Sequence, residues 1–574
     1  MGAPLRRRQL AAPFPVLRFA PAIAIAVLAL PVIGGLAGTF LPAFGYLPAL
    51  GGESLSLEPF QIVLAQPGLL RSCGIALAAG VVTVAVSTVL VALFVGGWSQ
   101  TRTFRFIQSL VSPLLAVPHA AAAFGLAFMI APSGFLARLV SPWATGWDRP
   151  PDWLIVNDSL GLSLMLGLIV KEVPFLLLMT LAALPQVRLA ASTRLSASLG
   201  YGRVSGFLFT TWPAIYRQIR LAVFAVIAFA SSAVDVAVIL GPTTPSALPV
   251  RLVQWMNDPE LTSRFMASAG AVLQLGITLA ALLVWLLLER IGRMAVMHFC
   301  GGGRRFGTDR AIRHVALTSV VLTALIVFGG LAVLALWSVS GLWQFPNVLP
   351  DTLTLRGWMR SMPQIAGPLW TTVTVGFAST ALSALIVIGS LAREGQVRRA
   401  GNRWALFFLY LPLLVPQAGF VFGLKLFLTH GGVGATWMAL VLVHMVFVLP
   451  YVFLSLAAPW RAFDPRYEAI AAGLGKGPWA TLLAIRLPML SRAILVACAV
   501  GFAVSVGQYL PTVLIGAGRL VTITTEAVAL GSGGNRRVVG IYAFLQMLLP
   551  FLGFAFAALV PALLFRNRRA RKVA

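Results

Sequence analysis

Apolar stretches of about twenty residues recur along almost the whole chain. They lie near residues 17–40, 70–97, 107–131, 160–184, 218–240, 268–288, 315–340, 368–392, 404–428, 434–457, 493–515 and 539–565. Each can cross roughly 30 Å of hydrocarbon as a helix. With no water there to pair the backbone, a stretch of this length has to close its hydrogen bonds within itself, and it predicts a helix. The chain of 574 residues is 59% hydrophobic and 10% charged, with a mean hydropathy of +0.91, which is membrane composition. The fold class expected is therefore an all-α integral membrane protein of about twelve transmembrane helices, with the lipid bilayer as its solvent.

A formal net charge of +27 could signal nucleic-acid binding, but the basic residues follow the spans. With the N-terminus inside, most Lys and Arg fall in inner segments, among them Arg6, Arg7, Arg8, Arg304, Arg305, Arg398, Arg399 and the run from Arg566 to Lys572. The acids lie mostly in the outer loops. This is the positive-inside pattern, which puts both termini in the cytoplasm and leaves no role for nucleic acid. The first stretch, "LRFAPAIAIAVLALPVIGGLAG", reads as a retained span rather than a cleaved signal. Cys73, Cys300 and Cys498 are scattered and suggest neither a disulfide framework nor a metal site.

The chain also repeats itself. "RLSASLGYGRVSGFLFTTWPAI" and "YEAIAAGLGKGPWATLLAIRLPML" share Leu-Gly with Pro thirteen residues after the Gly: Leu199, Gly200 and Pro213, then Leu474, Gly475 and Pro488. Upstream, "PLLAVPHAAAAFGLAF" from Pro113 aligns with "PLLVPQAGFVFGLKLF" from Pro412 after one gap, and downstream "FASSAVD" aligns with "FAVSVGQ". The expected organisation is a tail at 1–16, a first half at 17–290, a basic linker at 291–314, a second half at 315–565 and a basic tail at 566–574. Six spans per half return the second loop to the side of the first, the cytoplasm.

In the second loop Asp464 can cap a helix running through Glu468 to Leu474, Gly475 and Gly477 can end it, and Pro478 suits the first turn of the next. The product is a compact helix–turn–helix knob at the membrane surface. One such loop could be a mere interfacial connector. Two copies, on one side and at one place in each repeat, point instead to docking and force transfer.

"EAIAAGLGKGPWATLLAIRLP" resembles the cytoplasmic signature of binding-protein-dependent ABC importer permeases: Glu-Ala-Ala, three residues, Gly, nine residues, Ile-x-Leu-Pro. Ala471, Gly475, Ile485, Leu487 and Pro488 match it, while Glu468 falls one residue early, with Ala469 at the Glu position. The first copy keeps Leu199, Gly200 and Pro213 but has Arg194 for Glu and Trp212 for Leu, so the two contacts are expected to be unequal. The resemblance implies the type I importer permease fold as two homologous six-helix halves in a bacterial inner membrane. It also implies that these loops are coupling helices seated on ATPase subunits, two copies in all, which hold the ATP and Mg, and that a periplasmic binding protein delivers the solute. The chain is similar to the fused permeases of the ferric-iron and thiamine importers, and "VDVAVILGPTTPSALPVRLVQWMNDPE" looks closest to the thiamine-transport group.

The chain carries no phosphate loop of its own: Lys476 follows Gly475, but Gly477 comes next and Ile470 occupies the first Gly position. His119, His298, His314, His430 and His444 form no His-Glu-x-x-His pair, so a transport subunit rather than an enzyme is expected. Ionisable groups within spans cost roughly 2.5–3.5 kcal/mol each and ask for a reason; they are Lys171, Glu172, Asp235 and Lys425. Lys171 and Glu172 point about 100° apart on a helix and need not pair. They are expected to face an interior cavity, to form a buried ion pair between helices or to snorkel. Asp235 has Gln508 as its repeat mate, so these two are candidates to line the path or gate, with inter-helix packing as the other reading. An acid there would suit a cationic thiazolium. Thr243, Thr244, Thr522, Thr524 and Thr525 follow these spans and are expected near a periplasmic partner. The mechanism implied is alternating access driven by ATP. An ion-coupled secondary transporter, also built from two parallel halves, is the rival from another class.

Overall fold

The computed structural model describes residues 16–303, 305–397 and 403–564. The 1–15 segment, Arg304, Arg398, Arg399 and the 566–574 tail lie outside the described residues. The fold is all-α, and the described residues contain no β-ladder beyond three isolated bridges. Among the described residues ten helices are long and apolar enough to cross a membrane, twelve if each of two bent pairs is counted as one span.

Four of the expected spans are broken, at matching places in the two halves. The stretch near 107–131 is two helices, Arg102–Ala116 and His119–Ile130. That near 404–428 is Arg403–Leu414 and Gln417–His430, bent by 97°. Both breaks fall at Val-Pro, Val117-Pro118 and Val415-Pro416, because proline has no N–H to give the carbonyl four residues back and biases the residue before it away from helix. The stretch near 218–240 stops at Ser232 and resumes as Asp235–Leu240; that near 493–515 stops at Val506 and resumes as Leu510–Gly516. Hydropathy could not show these breaks, since a broken span has the composition of a whole one.

The first span of each half packs against the other half. Ala20–Ala43 lies along Gln417–His430, and Arg310–Ser338 lies along His119–Ile130. Glycine makes both seams. A Cβ on Gly125 would sit 2.9 Å from the Gly330 backbone, and one on Gly35 would overlap the Phe420 carbonyl. Gly35 and Gly330 belong to a repeated Gly-Gly-Leu-Ala, at Gly34–Ala37 and Gly329–Ala332. Where lipid is as apolar as the helices, such close backbone approach is what holds them together.

At the end of the bundle remote from the two knobs, arginines tie the halves. Arg138 Nε and Arg536 Nη1 both donate to the Ser133 carbonyl, at 3.1 and 2.8 Å. Arg138 Nη1 also donates to the carbonyls of Gln344 and Asn347 at 2.8 and 3.0 Å.

Candidate functional site

The two knobs share one turn. In the first, the helix Leu189–Ser198 ends where Gly200 takes φ +83°, Gly200 N–H donates to Ala197 O at 3.0 Å and Tyr201 N–H to Ser196 O at 3.1 Å. In the second, Arg466–Gly473 ends where Gly475 takes φ +76°, Gly475 N–H donates to Ala472 O at 3.1 Å and Lys476 N–H to Ala471 O at 2.9 Å. Both are Schellman turns, whose left-handed residue favours glycine. The C-cap leucines stand out from the surface, Leu199 51% and Leu474 77% exposed, with Leu195 and Ile470 exposed one turn before them. Ala471 is buried beneath the second turn.

Asp464 Oδ1 accepts the Arg466 N–H at 2.9 Å and starts the second knob. Gly477 caps the start of the next helix, Pro478–Thr481, rather than ending the first. That helix widens to a π turn over Leu482–Arg486, which includes Ile485, just ahead of Leu487 and the non-donating Pro488. In the first knob the second helix is a regular Arg203–Thr210, and Pro213 opens the following span, Trp212–Ser232.

Glu468 works inside the second knob. Its Oε1 pairs with Arg486 Nη1 at 2.7 Å, Arg486 Nη2 donates to the Trp460 carbonyl at 3.1 Å, and the guanidinium lies 4.4 Å from the Trp460 ring centroid. One arginine thus joins the knob helix to the end of the preceding span. The corresponding position in the first knob is Thr211, which cannot do this.

The intramembrane charges sit at the helix breaks. Lys171 and Glu172 are both buried on Leu162–Ala183 and point to different partners. Lys171 Nζ donates to the carbonyls of Leu114 and Val117 at 2.9 and 2.6 Å, and the first of these is the acceptor that Pro118 leaves without a donor. Glu172 Oε1 meets His119 Nε2 at 3.2 Å, and the His119 ring lies 4.6 Å from Phe229. Asp235 is buried at the start of its short helix, within electrostatic reach of His119 and Tyr509. Gln508 is buried in the equivalent break of the second half, and its carbonyl accepts the Thr512 hydroxyl at 2.8 Å. Breaks from opposite halves meet, since a Cβ on Gly507 would lie 3.9 Å from Pro118. Irregular backbone at this depth is tolerated where protein buries it or a cavity runs past it.

Thr522, Thr524 and Thr525 are buried, which corrects the expectation that they face a partner. Thr522 and Thr525 cap the helix Ile523–Gly531, and the Thr524 hydroxyl donates to the Val506 carbonyl at the break. Thr243 and Thr244 are exposed. Among the described residues no group of His, Cys, Asp and Glu could hold a metal ion, and all three cysteines are free.

No family model matches the chain. It is 30% identical over 512 residues, 88% of its length, to the inner membrane ABC transporter permease protein YnjC of Escherichia coli K12, and the match covers 91% of that protein. The chain is an ABC transporter permease. It is a multi-pass inner-membrane protein. Shorter matches are PhnV of Salmonella paratyphi A, named as a putative 2-aminoethylphosphonate transport system permease protein, 25% identical over 38% of the permease and 82% of PhnV, and the molybdenum transport system permease ModB of Azotobacter vinelandii, 29% identical over 25% of the permease and 70% of ModB.

Several structural residues of the permease escaped the sequence reading. His444 bridges Ser505 Oγ at 2.7 Å and Thr512 Oγ1 at 3.0 Å across the second-half break. Gln274 Nε2 donates to the Ser231 carbonyl and Gln546 Nε2 to Thr524 Oγ1, both at 3.0 Å, so each bears on a break. A repeated signal marks this pair: Ala-x-Leu-Gln ends at Gln274 and again at Gln546.

Proposed function

We propose that the permease imports a small solute delivered by a periplasmic binding protein, driven by two copies of an ATPase subunit that bind ATP and Mg and seat on the two knobs from the cytoplasm. The observation that carries this is the duplicated turn, with an exposed leucine before a left-handed glycine at the same place in each repeat. Leu199, Gly200 and Pro213 shape the first contact. Glu468, Ala471, Leu474, Gly475, Ile485, Leu487 and Pro488 shape the second, with Glu468 acting as an internal brace.

Closure of the ATPases on ATP draws the knobs together and opens the far side of the bundle; hydrolysis resets it. The path runs past the helix breaks, where Glu172, Asp235 and Gln508 present polar groups and Lys171 holds the first break in shape. ABC membership favours this over ion-coupled transport. A thiamine-like cation is the cargo we propose, because the buried carboxylates of Glu172 and Asp235 suit it better than an anion.

The test is gentle purification of the tagged chain from native membranes. A co-purifying ATPase whose activity responds to the binding protein, and is uncoupled by Leu474→Asp, supports the reading. A chain that purifies alone and moves solute on an ion gradient overturns it.

A further inference from the structure

The helix Ser263–Gly301 has 39 residues, about 58 Å, so it runs well past the hydrocarbon. Before the helix Arg310–Ser338, the described linker residues 305–309 lie across the first knob. Ser205 Oγ donates toward the carbonyls of Arg305 and Phe306 at 3.2 and 3.3 Å. Asp309 Oδ2 accepts the Val204 N–H at 2.7 Å, in the first turn of the second knob helix, where a carboxylate also suits the helix dipole. A Cβ on Gly202 would sit 2.5 Å from the Phe306 carbonyl, and one on Gly200 would sit 3.3 Å from Arg305 Cδ and Nη1. At the end of the linker, in the first turn of the helix Arg310–Ser338, Arg313 Nε donates to the Gly97 carbonyl at 3.1 Å and anchors it. Around the second knob, a Cβ on Gly473, Gly475 or Gly477 would meet nothing within 4 Å. One turn is covered by linker; at the other, no described residue comes that close.

We infer that the linker is part of the first docking face, so that the ATPase subunit at the first knob meets Arg305 and Phe306 together with Leu195 and Leu199. The inference rests on the coupling function proposed above. Phe306 is about half exposed although its ring touches Phe299, 5.6 Å between centroids, so it presents a second apolar tooth beside the leucines. Charge defines the occupant further. Of the five arginines in residues 188–220, which hold no acid, Arg220 is paired with Glu289, and Arg305 adds another cation beside the linker's Asp309, whereas residues 461–492 mix five cations with Asp464 and Glu468. The first face therefore fits an ATPase groove with an apolar floor and an acidic rim, and it depends more on salt than the second.

The full-length permease, with the ATPase that co-purifies from its membranes, tests this in two single-site backgrounds. Leu474→Asp leaves only the first site and Leu199→Asp only the second; both leucines are exposed, so the fold is spared. Arg305→Glu is expected to weaken ATPase binding at least about tenfold in the first background and not in the second, with added salt narrowing the difference. Equal loss in both backgrounds, or none in either, overturns the linker inference while leaving the coupling function standing. Because Arg305→Glu could also dislodge the linker, a photo-crosslinking residue at Phe306 in the otherwise native chain is the second measurement. An adduct with the ATPase supports the inference, and its absence overturns it. Failure of even the native chain to bind any ATPase overturns the coupling function itself.

Discussion

The Lys171 ammonium lies 2.6 Å from the Val117 carbonyl oxygen and 2.9 Å from that of Leu114, both at the frayed end of the helix that Pro118 interrupts. A charge that would be expensive in a span is used here to close backbone that no N–H can reach. Lys171→Met keeps the volume but leaves two buried carbonyls unpaired, at about 1–3 kcal/mol each. Thermal unfolding in detergent should show a clear drop in Tm, with Lys171→Arg retaining part of the stability. A Tm unchanged by Lys171→Met would show that the break does not need its staple.

The seams between the halves predict a sharp contrast between neighbouring glycines. Gly423→Ala would drive a methyl into the Gly35 carbonyl, whereas a Cβ on Gly419, one turn earlier on the same helix, meets nothing within 4 Å. The first substitution is expected to cost about 3 kcal/mol and to yield aggregated or degraded protein. Gly419→Ala should behave as the native chain. Size-exclusion profiles of the two variants settle the matter.

Arg486 holds the second knob through Glu468, Trp460 and an aromatic stack. Arg486→Ala should leave insertion intact but loosen the knob, lowering solute transported per ATP hydrolysed several-fold. Glu468→Gln keeps an acceptor for the guanidinium and should cost less, about 1 kcal/mol, as befits a partly exposed pair. If Glu468→Gln is the more harmful of the two, Glu468 touches a partner rather than Arg486.

Asp158 precedes the span Leu162–Ala183 at the end remote from the knob and accepts four hydrogen bonds: the N–H groups of Leu160, Leu162 and Ser163, and the Ser163 hydroxyl. Burial pushes its carboxyl pKa up, but these donors outweigh burial and hold it below the ordinary 3.8. A depressed folded pKa means that the stabilisation is fully present above the unfolded value and is lost as pH falls through the folded one. Asp158→Ala should therefore cost about 1 kcal/mol at neutral pH. The gap between variant and native Tm should close only in strong acid. A gap that persists there would assign the effect to packing.

The spans, the repeat and the knobs were legible because each answers to a local rule: about twenty apolar residues to cross lipid, and glycine where a helix must end left-handed. Gly200 and Gly475 announced their turns 275 residues apart. The breaks were less visible, since the repeated Val-Pro at 117–118 and 415–416 marks only two of the four and hydropathy averages over all of them. The partners of Lys171 left no trace in the sequence because they are backbone carbonyls. The linker's seat on the first knob is a contact across about 100 residues made largely through main-chain atoms, which side-chain patterning does not encode.

The exchange of first spans has a consequence for synthesis. The helix Arg310–Ser338 emerges from the ribosome when its partner, His119–Ile130, is already made, so that seam can close at once. The helix Ala20–Ala43 must wait for about 370 further residues before Gln417–His430 exists, on the order of 20–75 s at typical elongation rates. Throughout that interval its glycine face lies open in the bilayer. Two seams that match in the finished molecule are thus formed by opposite histories, and the one that closes late leaves its helix face unpaired for most of synthesis.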